Sequence, residues 1–168
     1  MSTSISIQTE DFDVSAELAR LRAEDARVGA VCCFVGTVRD RSGGRSIEAM
    51  ELEHYPGMTE KSIAAMIEET RRRFDIYGVR VIHRVGPLLP PDQIVLVAVT
   101  SAHRRGAFEA CEFLMDYLKT QAPFWKKERT PEGAHWVDAR ESDDAALARW
   151  GVRVAPMAAQ PAPQTLRA

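Results

Sequence analysis

The chain has 168 residues, of which 45% are hydrophobic, and a formal net charge of −2 at pH 7, values that fit one soluble globular domain, predicted over residues 1–150. The charge argues against a general nucleic-acid-binding protein, because such proteins carry a large basic excess. No apolar run approaches the roughly 20 residues that span a bilayer, and the N-terminus lacks the features of a secretory signal, so we expect a cytoplasmic protein with no membrane partner.

The first predicted elements are a strand and a helix. Residues 5–12 alternate weakly between apolar and polar side chains, which indicates an edge strand. Apolar residues then recur with helical spacing at Val14, Leu18 and Leu21. This spacing predicts a short amphipathic helix that ends near Ala26.

The next predicted elements are two strands joined by a polar loop. Residues 29–38, GAVCCFVGTV, are mostly apolar and β-forming, which predicts a buried strand in which Gly36 allows a bulge or a close approach. The polar loop that follows contains two glycines, and we expect it to be mobile until a ligand orders it. A second strand is predicted over residues 47–54. Its alternation slips between Ala49 and Met50, which suggests a bulge or burial on both faces.

A second helix and two further strands follow. We expect Thr59 to cap the helix. Its inward residues, at helical spacing, are Ile63, Met66, Ile67, Thr70 and Phe74. The three arginines at 71–73 fall in its last turn, where cations complement the helix dipole, so we interpret them as a solvated helix end. Residues 79–85 alternate as a third strand, and the uninterrupted apolar run 94–99 predicts a central strand.

Residues 100–129 contain a long helix around which the other predictions are organised. Its apolar residues recur at intervals of three and four: Ala107, Ala110, Cys111, Leu114 and Leu118. This stripe predicts a largely buried helix with Ser101 as its N-cap. The helix should end at about Thr120, because Pro123 disfavours helical angles at Ala122.

Cations stand at both ends of this helix. His103 and Arg104 fall in its first turn, Lys119 lies near its end, and Lys126 and Lys127 follow the proline. Unpaired backbone amides at a helix N-terminus favour anions, so a phosphate or carboxylate would be attracted to the first pair. The alternative is a solvated arginine beside a hydrogen-bonded core histidine.

The C-terminal region is predicted to be a hairpin, a short helix and a tail. Strands over 124–129 and 135–139 form the hairpin, and Ser142 caps a helix that ends near Trp150. Residues 151–168 are rich in Ala, Pro and Gln, which predicts a disordered tail. The order of elements predicts an α+β fold, with helices packed on a mixed or antiparallel sheet in two layers and a small C-terminal β-hairpin region.

The sequence contains no Walker loop, no GxGxxG after a strand, no HExxH and no GxSxG. Its three cysteines, Cys32, Cys33 and Cys111, fit neither a disulfide framework nor a metal site, so we predict no metal and no cofactor. The remaining candidates are cations: Arg39, His103, Arg104, Lys119, Lys126 and Lys127. A lysine becomes a nucleophile or base only if burial or neighbouring cations lower its pKa from about 10.4. The alternative for Lys119 is a surface lysine at a helix C-terminus.

Several separated stretches, in one order, resemble a single family. They are FVGTVRD, LEHYPGMTEKSI, VIHRVGPL, VTSAHRRGAFEACEFLMDYLK, APFWKKE and GAHWVDAR. Together they cover about residues 29–150 and resemble the large, catalytic subunit of molybdopterin synthase. The resemblance implies sulfur transfer in molybdenum cofactor biosynthesis. A ubiquitin-like small subunit with a C-terminal thiocarboxylate would supply two sulfurs in turn to cyclic pyranopterin monophosphate, which gives the dithiolene of molybdopterin.

The resemblance also implies roles for individual residues. Lys119 would lie beside the terminal glycine of the small subunit and either stabilise the acyl oxyanion or attack the acyl group. Lys126 would bind substrate or assist proton transfer, and Arg39, His103 and Arg104 would form an anion pocket for the pterin phosphate. The family is a homodimer flanked by two small subunits, a heterotetramer in which His103 and Arg104 reach the lysines of the neighbouring protomer.

The same cations also fit a second class of protein, a non-enzymatic module that binds an anionic peptide tail or a phosphometabolite. A Lys119→Ala substitution distinguishes the two classes. In the module it weakens binding, whereas in the enzyme it removes turnover and leaves partner binding largely unchanged. RNA binding is disfavoured by the net charge and would show a steep dependence on salt.

Overall fold

The structure is a computed structural model and describes residues 2–137 and 141–153. The strands are β1 Ser2–Gln8, β2 Ala30–Thr37, β3 Arg41–Ser42, β4 Arg45–Ser46, β5 Ala49–His54, β6 Gly78–Arg84, β7 Gly86–Leu88, β8 Gln93–Ser101, β9 Phe124–Thr130 and β10 Gly133–Val137. The helices are α1 Val14–Ala23, α2 Met58–Arg73, α3 Arg104–Gln121 and α4 Glu141–Ala148. The predicted α+β class is confirmed.

The described strands form two four-stranded sheets and a small hairpin. The first sheet has the order β1-β6-β8-β2, in which β1 runs parallel to β6 and the other pairs are antiparallel. The second sheet has the order β10-β9-β5-β7 and is antiparallel. The C-terminal hairpin is therefore joined to earlier strands, because β9 pairs with β5 as well as with β10.

The core lies on both faces of the first sheet. On one face, side chains of α2 and α3 such as Ile67 and Leu114 pack against Val81 and Val97. On the other face, Leu21 of α1 packs in a cluster with Ile82 and Leu96. Strand β8 is buried along most of its length and lies between β6 and β2, so the prediction of a central strand is confirmed.

Two predictions about the other strands of this sheet have different outcomes. Strand β1 is an edge strand, as predicted, although it spans Ser2–Gln8. The prediction that β2 is buried is wrong, because β2 forms the other edge and leaves Val31 and Phe34 38% and 41% exposed. Apolar composition predicted the strand but could not show whether a neighbour covers it.

Glycines shape the chain after β2. The register with β8 shifts between Gly36 and Thr37, and a methyl group on Gly36 would lie 2.8 Å from Cγ1 of Val95, so the predicted close approach is confirmed. The polar loop predicted next is instead the hairpin β3-β4, closed by Gly43 and Gly44 at φ 56° and 81°. Its predicted mobility stays a prediction.

Neither the bulge nor the burial on both faces predicted from the slip between Ala49 and Met50 is observed, since buried and exposed residues alternate along β5. Strand β5 begins at Ala49 and pairs with β9 without a register shift as far as His54. The slip in the sequence pattern therefore marks the start of the strand.

The predicted N-cap of α2 is also wrong. The N-cap is Gly57, whose N–H donates to Oε2 of Glu60 at 2.7 Å. Thr59 is buried within the first turn, where its Oγ1 accepts from the N–H of Tyr55 and donates to the carbonyl of Pro123, both at 3.0 Å. The threonine ties the helix to the start of β9, a contact between distant parts of the chain that local sequence does not reveal.

The N-cap predicted for α3 fails for a similar reason. Ser101 ends β8, and its hydroxyl donates to the carbonyl of Asp75 at 2.8 Å. His103 is the N-cap instead, and Arg104 is the first helical residue. The predicted end near Thr120 is within one residue of the observed end at Gln121.

The three arginines at the end of α2 are not uniformly solvated. The side chain of Arg71 is 17% exposed and donates to the carbonyl of Ser2 at 3.1 Å and to the hydroxyl of Thr3. Arg73 bonds Glu69 and the carbonyl of Trp150, whereas Arg72 is 70% exposed. The interpretation as a solvated end is therefore correct for Arg72 and Arg73, which are both exposed, and wrong for Arg71.

Several boundaries differ from the predictions near the chain ends. Helix α1 ends at Ala23, three residues before the predicted Ala26. Helix α4 begins at Glu141, so Ser142 lies inside it, and it ends at Ala148. The predicted ends of the hairpin at 138–139 and most of the predicted tail, 154–168, lie outside the described residues. In the part of the chain that the structure describes, no helix is long and apolar enough to cross a bilayer.

Candidate active site

A cavity of about 690 Å³ is lined by both sheets and by the C-terminal half of α3. Its apolar lining includes Phe34, Met50, Leu52, Val95, Met115 and Leu118. Its volume lies within the range of small-molecule sites in proteins, which are usually apolar with a few placed polar groups. The cavity is therefore the candidate ligand-binding site.

Three of the predicted cations meet in this cavity. Lys119 from the last turn of α3, Lys126 from β9 and Arg39 from the segment after β2 all line it. The local sequence explains how the two lysines come together. Ala122 is extended, with φ −79° and ψ 128°, ahead of Pro123. The chain therefore leaves the helix abruptly and continues as β9.

The other three candidate cations, His103, Arg104 and Lys127, lie outside the cavity lining. His103 and Arg104 are at the opposite end of α3 and do not line the cavity. With a rise of 1.5 Å per residue, Arg104 and Lys119 are separated by about 22 Å along the helix axis. Within one chain, these residues therefore cannot act on the same ligand as the lysines.

Lys126 has a carboxylate partner that the sequence analysis missed. Its Nζ lies 3.1 Å from Oε1 of Glu128, and the side chains of Lys126 and Glu128 are 30% and 6% exposed. Alternate residues of a strand share a face, which places both side chains on the cavity side of β9. Opposite charges two residues apart on a predicted strand were the available signal. The carboxylate fixes the direction of the Lys126 ammonium.

His83 is a second residue of the cavity wall that the sequence analysis missed. It is 8% exposed, and its ring stacks on Phe124 with centroids 3.7 Å apart. Burial, followed by the charges of Lys119 and His54, lowers the pKa of His83 to about 4, although the hydrogen bond with the Arg84 carbonyl opposes this shift. The imidazole is therefore neutral near pH 7.

The cysteines lie outside this cavity lining. Cys32 and Cys33 point to opposite faces of β2, and Cys111 is buried in the core. Burial raises the pKa of the Cys111 thiol well above its ordinary value, and the neighbouring Cys32 raises it further. Burial also raises the pKa of Cys33. Thiols with raised pKa values are poor nucleophiles, so chemistry in this cavity depends on the amines and the guanidinium group.

No group of three or more His, Cys, Asp and Glu side chains that could hold a metal ion occurs within residues 2–137 and 141–153. Instead, the cavity combines cations with apolar and aromatic walls. Arg41 adds a further cation that was not singled out from the sequence. Such a lining suits a ligand that carries negative charge beside a flat or apolar part.

Comparison with known proteins identifies one family. Residues 7–121 match the family model described as MoaE protein. The molybdopterin synthase catalytic subunit of Ralstonia nicotianae is 60% identical over 148 residues, which cover 88% of this chain and 84% of that protein.

Solved structures show the same likeness. A molybdopterin biosynthesis MoaE protein from Burkholderia ambifaria is 61% identical, with a TM-score of 0.78 over 91% of this chain and all of that one. A protein–protein complex of subunits 1 and 2 of molybdopterin-converting factor from Helicobacter pylori, 21% identical over 82% of this chain and 91% of that one, shares the fold with a TM-score of 0.63. The chain therefore belongs to the MoaE family, the family of molybdopterin synthase catalytic subunits, as its sequence motifs predicted.

Proposed function

We propose that this chain, as the catalytic subunit of a molybdopterin synthase, takes sulfur from a thiocarboxylate at the C-terminus of a ubiquitin-like small subunit. The acceptor is cyclic pyranopterin monophosphate, which becomes the dithiolene of molybdopterin. The observation that carries this proposal is that Lys119, Lys126 and Arg39 line one cavity whose walls combine polar and apolar side chains. A phosphorylated pterin and an acidic peptide tail both match a cavity of this composition. We place the reaction in the cytoplasm, the compartment predicted from the sequence.

The lysines have separate roles in this proposal. Lys119 lies beside the terminal glycine of the small subunit. There it either stabilises the acyl oxyanion as an ammonium or attacks the acyl group as a neutral amine. Lys126, oriented by Glu128 at 3.1 Å, binds the substrate or assists proton transfer. Arg39 binds the phosphate, for which a planar guanidinium offers paired donors.

The complete site in this proposal belongs to a homodimer, and two small subunits complete a heterotetramer. The distance of about 22 Å along α3 separates His103 and Arg104 from the lysines of their own chain. In a dimer these residues bind the pterin phosphate at the site of the neighbouring protomer. The exposed apolar residues Val31, Phe34 and Phe108 support such an interface, because exposed apolar surface often marks protein contacts.

The test is single-turnover conversion of cyclic pyranopterin monophosphate by the chain with a thiocarboxylated small subunit. We expect conversion by wild type and a drop of about a hundredfold for Lys119→Ala, the effect of losing a positioned catalytic group. The matched control is Lys127→Ala, because Lys127 lies outside the cavity lining, with its Nζ 5.6 Å from the Trp136 ring. This variant should convert substrate at close to the wild-type rate.

Two results would contradict the proposal. If wild type binds the small subunit but forms no dithiolene, the chain is a binding module that uses the same cations. If the Lys127→Ala and Lys119→Ala variants lose activity equally, positive charge in general matters and Lys119 has no specific role.

A further inference from the structure

The buried His83 has a fixed ring orientation. Its Nδ1 lies 2.8 Å from the backbone carbonyl oxygen of Arg84, and its ring stacks on Phe124 at an interplanar angle of 15°. A carbonyl oxygen only accepts hydrogen bonds, so the proton of the neutral ring resides on Nδ1. Nε2, on the opposite side of the ring, therefore carries a lone pair and acts as an acceptor.

His83 and Lys119 come from different elements, β6 and α3, and line the same cavity. They are close enough that the charge of Lys119 acts on the ionisation of the histidine. The groups that act on this imidazole are Lys119 from α3, His54 from β5 and the carbonyl of Arg84 on its own strand. In surroundings rich in cations, a neutral acceptor in the same cavity lining as Lys119 can orient an amine without adding positive charge.

We propose that His83 is a positioning residue for Lys119. Its imidazole, held by the Arg84 carbonyl and the Phe124 ring, presents the Nε2 lone pair as the acceptor that directs the Lys119 amine toward the acyl group. This inference rests on the proposed catalytic role of Lys119. A positioning role for His83 explains why an imidazole ring lies in this part of the cavity wall, where an apolar side chain could also pack.

Two substitutions separate the ring nitrogens. The amide of His83→Asn can replace Nδ1 as donor to Arg84 but has no atom at the position of Nε2, whereas His83→Gln places an acceptor near that position. In single-turnover assays at saturating substrate, we expect His83→Asn to slow conversion by about tenfold or more, the order expected for a misplaced reacting group. His83→Gln should restore most of the rate, and substrate affinity should change little in both variants.

A double-mutant comparison distinguishes positioning from structural support. In a Lys119→Ala background, His83→Asn should cause no further loss, because the amine that it directs is absent. Equal losses in the Asn and Gln variants, or losses that multiply with Lys119→Ala, would overturn the inference and leave the catalytic role of Lys119 intact. A Lys119→Ala variant with wild-type activity would refute both.

A spectroscopic measurement avoids dependence on the folding of His83 variants. In protein labelled with ¹⁵N-histidine, we expect the His83 signals of the Nδ1–H form, with an Nε2 resonance that shifts in Lys119→Ala. A protonated Nε2, or an identical Nε2 resonance in the two proteins, would contradict the inference.

Discussion

At the scale of single residues, the ion pair in the cavity gives the first prediction. Glu128→Gln should destabilise the protein by about 1 to 2 kcal/mol, because it leaves a partly buried lysine without its charged partner. The matched control is Glu48→Gln, since the side chains of Glu48 and Arg129 are 52% and 62% exposed and Oε2 of Glu48 lies 3.9 Å from Nε of Arg129. That variant should change the free energy of unfolding little. Urea unfolding measures both, and equal losses would contradict the prediction.

The second residue prediction concerns pH. His83 has a pKa of about 4 in the folded protein and about 6.5 when unfolded. Between these values the unfolded chain binds more protons, so His83 contributes stability that is present above pH 6.5 and is lost as the pH falls toward 4. The loss is about 3 kcal/mol at most.

Unfolding free energies measured from pH 7 to pH 4 check this prediction. The decline should be shallower for His83→Gln than for wild type, because glutamine does not titrate and the carboxylates are common to both proteins. Parallel curves would show that His83 does not cause the decline.

Some residues of the candidate site could be predicted from the sequence, and others could not. Three residues of the site lie in motifs that can be recognised from the sequence without knowing how the chain packs. The structure brings these three together in one cavity: Lys119, Lys126 and Arg39. Glu128 and His83 were missed. The ion pair of Glu128 is with Lys126, two residues away, but its burial is not visible in the sequence, and the low pKa of His83 comes from burial among residues that are distant in sequence. Charge and spacing alone could have suggested only the first of these two.

At the scale of elements, we expect Arg71 to stabilise the contact between β1 and α2. Arg71→Gln removes the bonds to Ser2 and Thr3, so we expect it to lower the local stability of β1 by about 1 kcal/mol. The control is Arg72→Gln, because the Arg72 side chain is 70% exposed and bonds Glu69 of its own helix, with no bond to β1 among the described residues. Hydrogen exchange of the β1 amides should accelerate only in the Arg71 variant, and similar rates in the two variants would argue against this anchoring role.

Two glycines at the edge strand β2 provide the next prediction. In Gly36→Ala the new methyl group meets Cγ1 of Val95, a side-chain atom, and should cost about 1 to 3 kcal/mol. In Gly29→Ala it meets the backbone carbonyl of Ala102, which cannot rotate away, so the cost should be larger. Chemical denaturation measures the stability of both variants. A larger loss for Gly36→Ala than for Gly29→Ala would contradict the prediction. Adding Val95→Ala should relieve part of the cost in Gly36→Ala only.

Long periodic elements could be predicted from the sequence, whereas short ones and caps could not. The stripe of α3 and the apolar run of β8 fixed both elements to within a few residues. Strands β3, β4 and β7 have only two or three residues, too few for a period. The predicted caps Thr59 and Ser101 bond distant backbone groups, which local sequence cannot reveal.

At the scale of the whole molecule, the proposed dimer predicts complementation between two inactive variants. Arg104→Ala and Lys119→Ala each damage a different part of a shared site. When both chains are co-expressed, mixed dimers should contain one site with both mutations and one intact site. Random mixing then restores about a quarter of wild-type activity, since half of the dimers are mixed. Activity no higher than that of the separate variants would mean that each site is formed by a single chain.

The fold class could be predicted from the sequence, whereas the pairing of the strands into sheets could not. The α+β class follows from the order of periodic segments, and the structure confirms it. Two separate sheets could not be foreseen, because the pairing of β9 with β5 joins segments far apart in the chain. The extent of the catalytic domain, residues 1–150, stays a prediction.

The strand order of the first sheet has a consequence for how the protein is made. Among the described strands, β1 pairs only with β6, and β2 pairs only with β8. During synthesis on the ribosome, β2 therefore has no strand to pair with until residues 93–101 have been made, which takes about 3 to 13 seconds at 5 to 20 residues per second. During that time an apolar strand with Val31 and Phe34 has no partner in its sheet, so we expect the nascent N-terminal half to depend on chaperones.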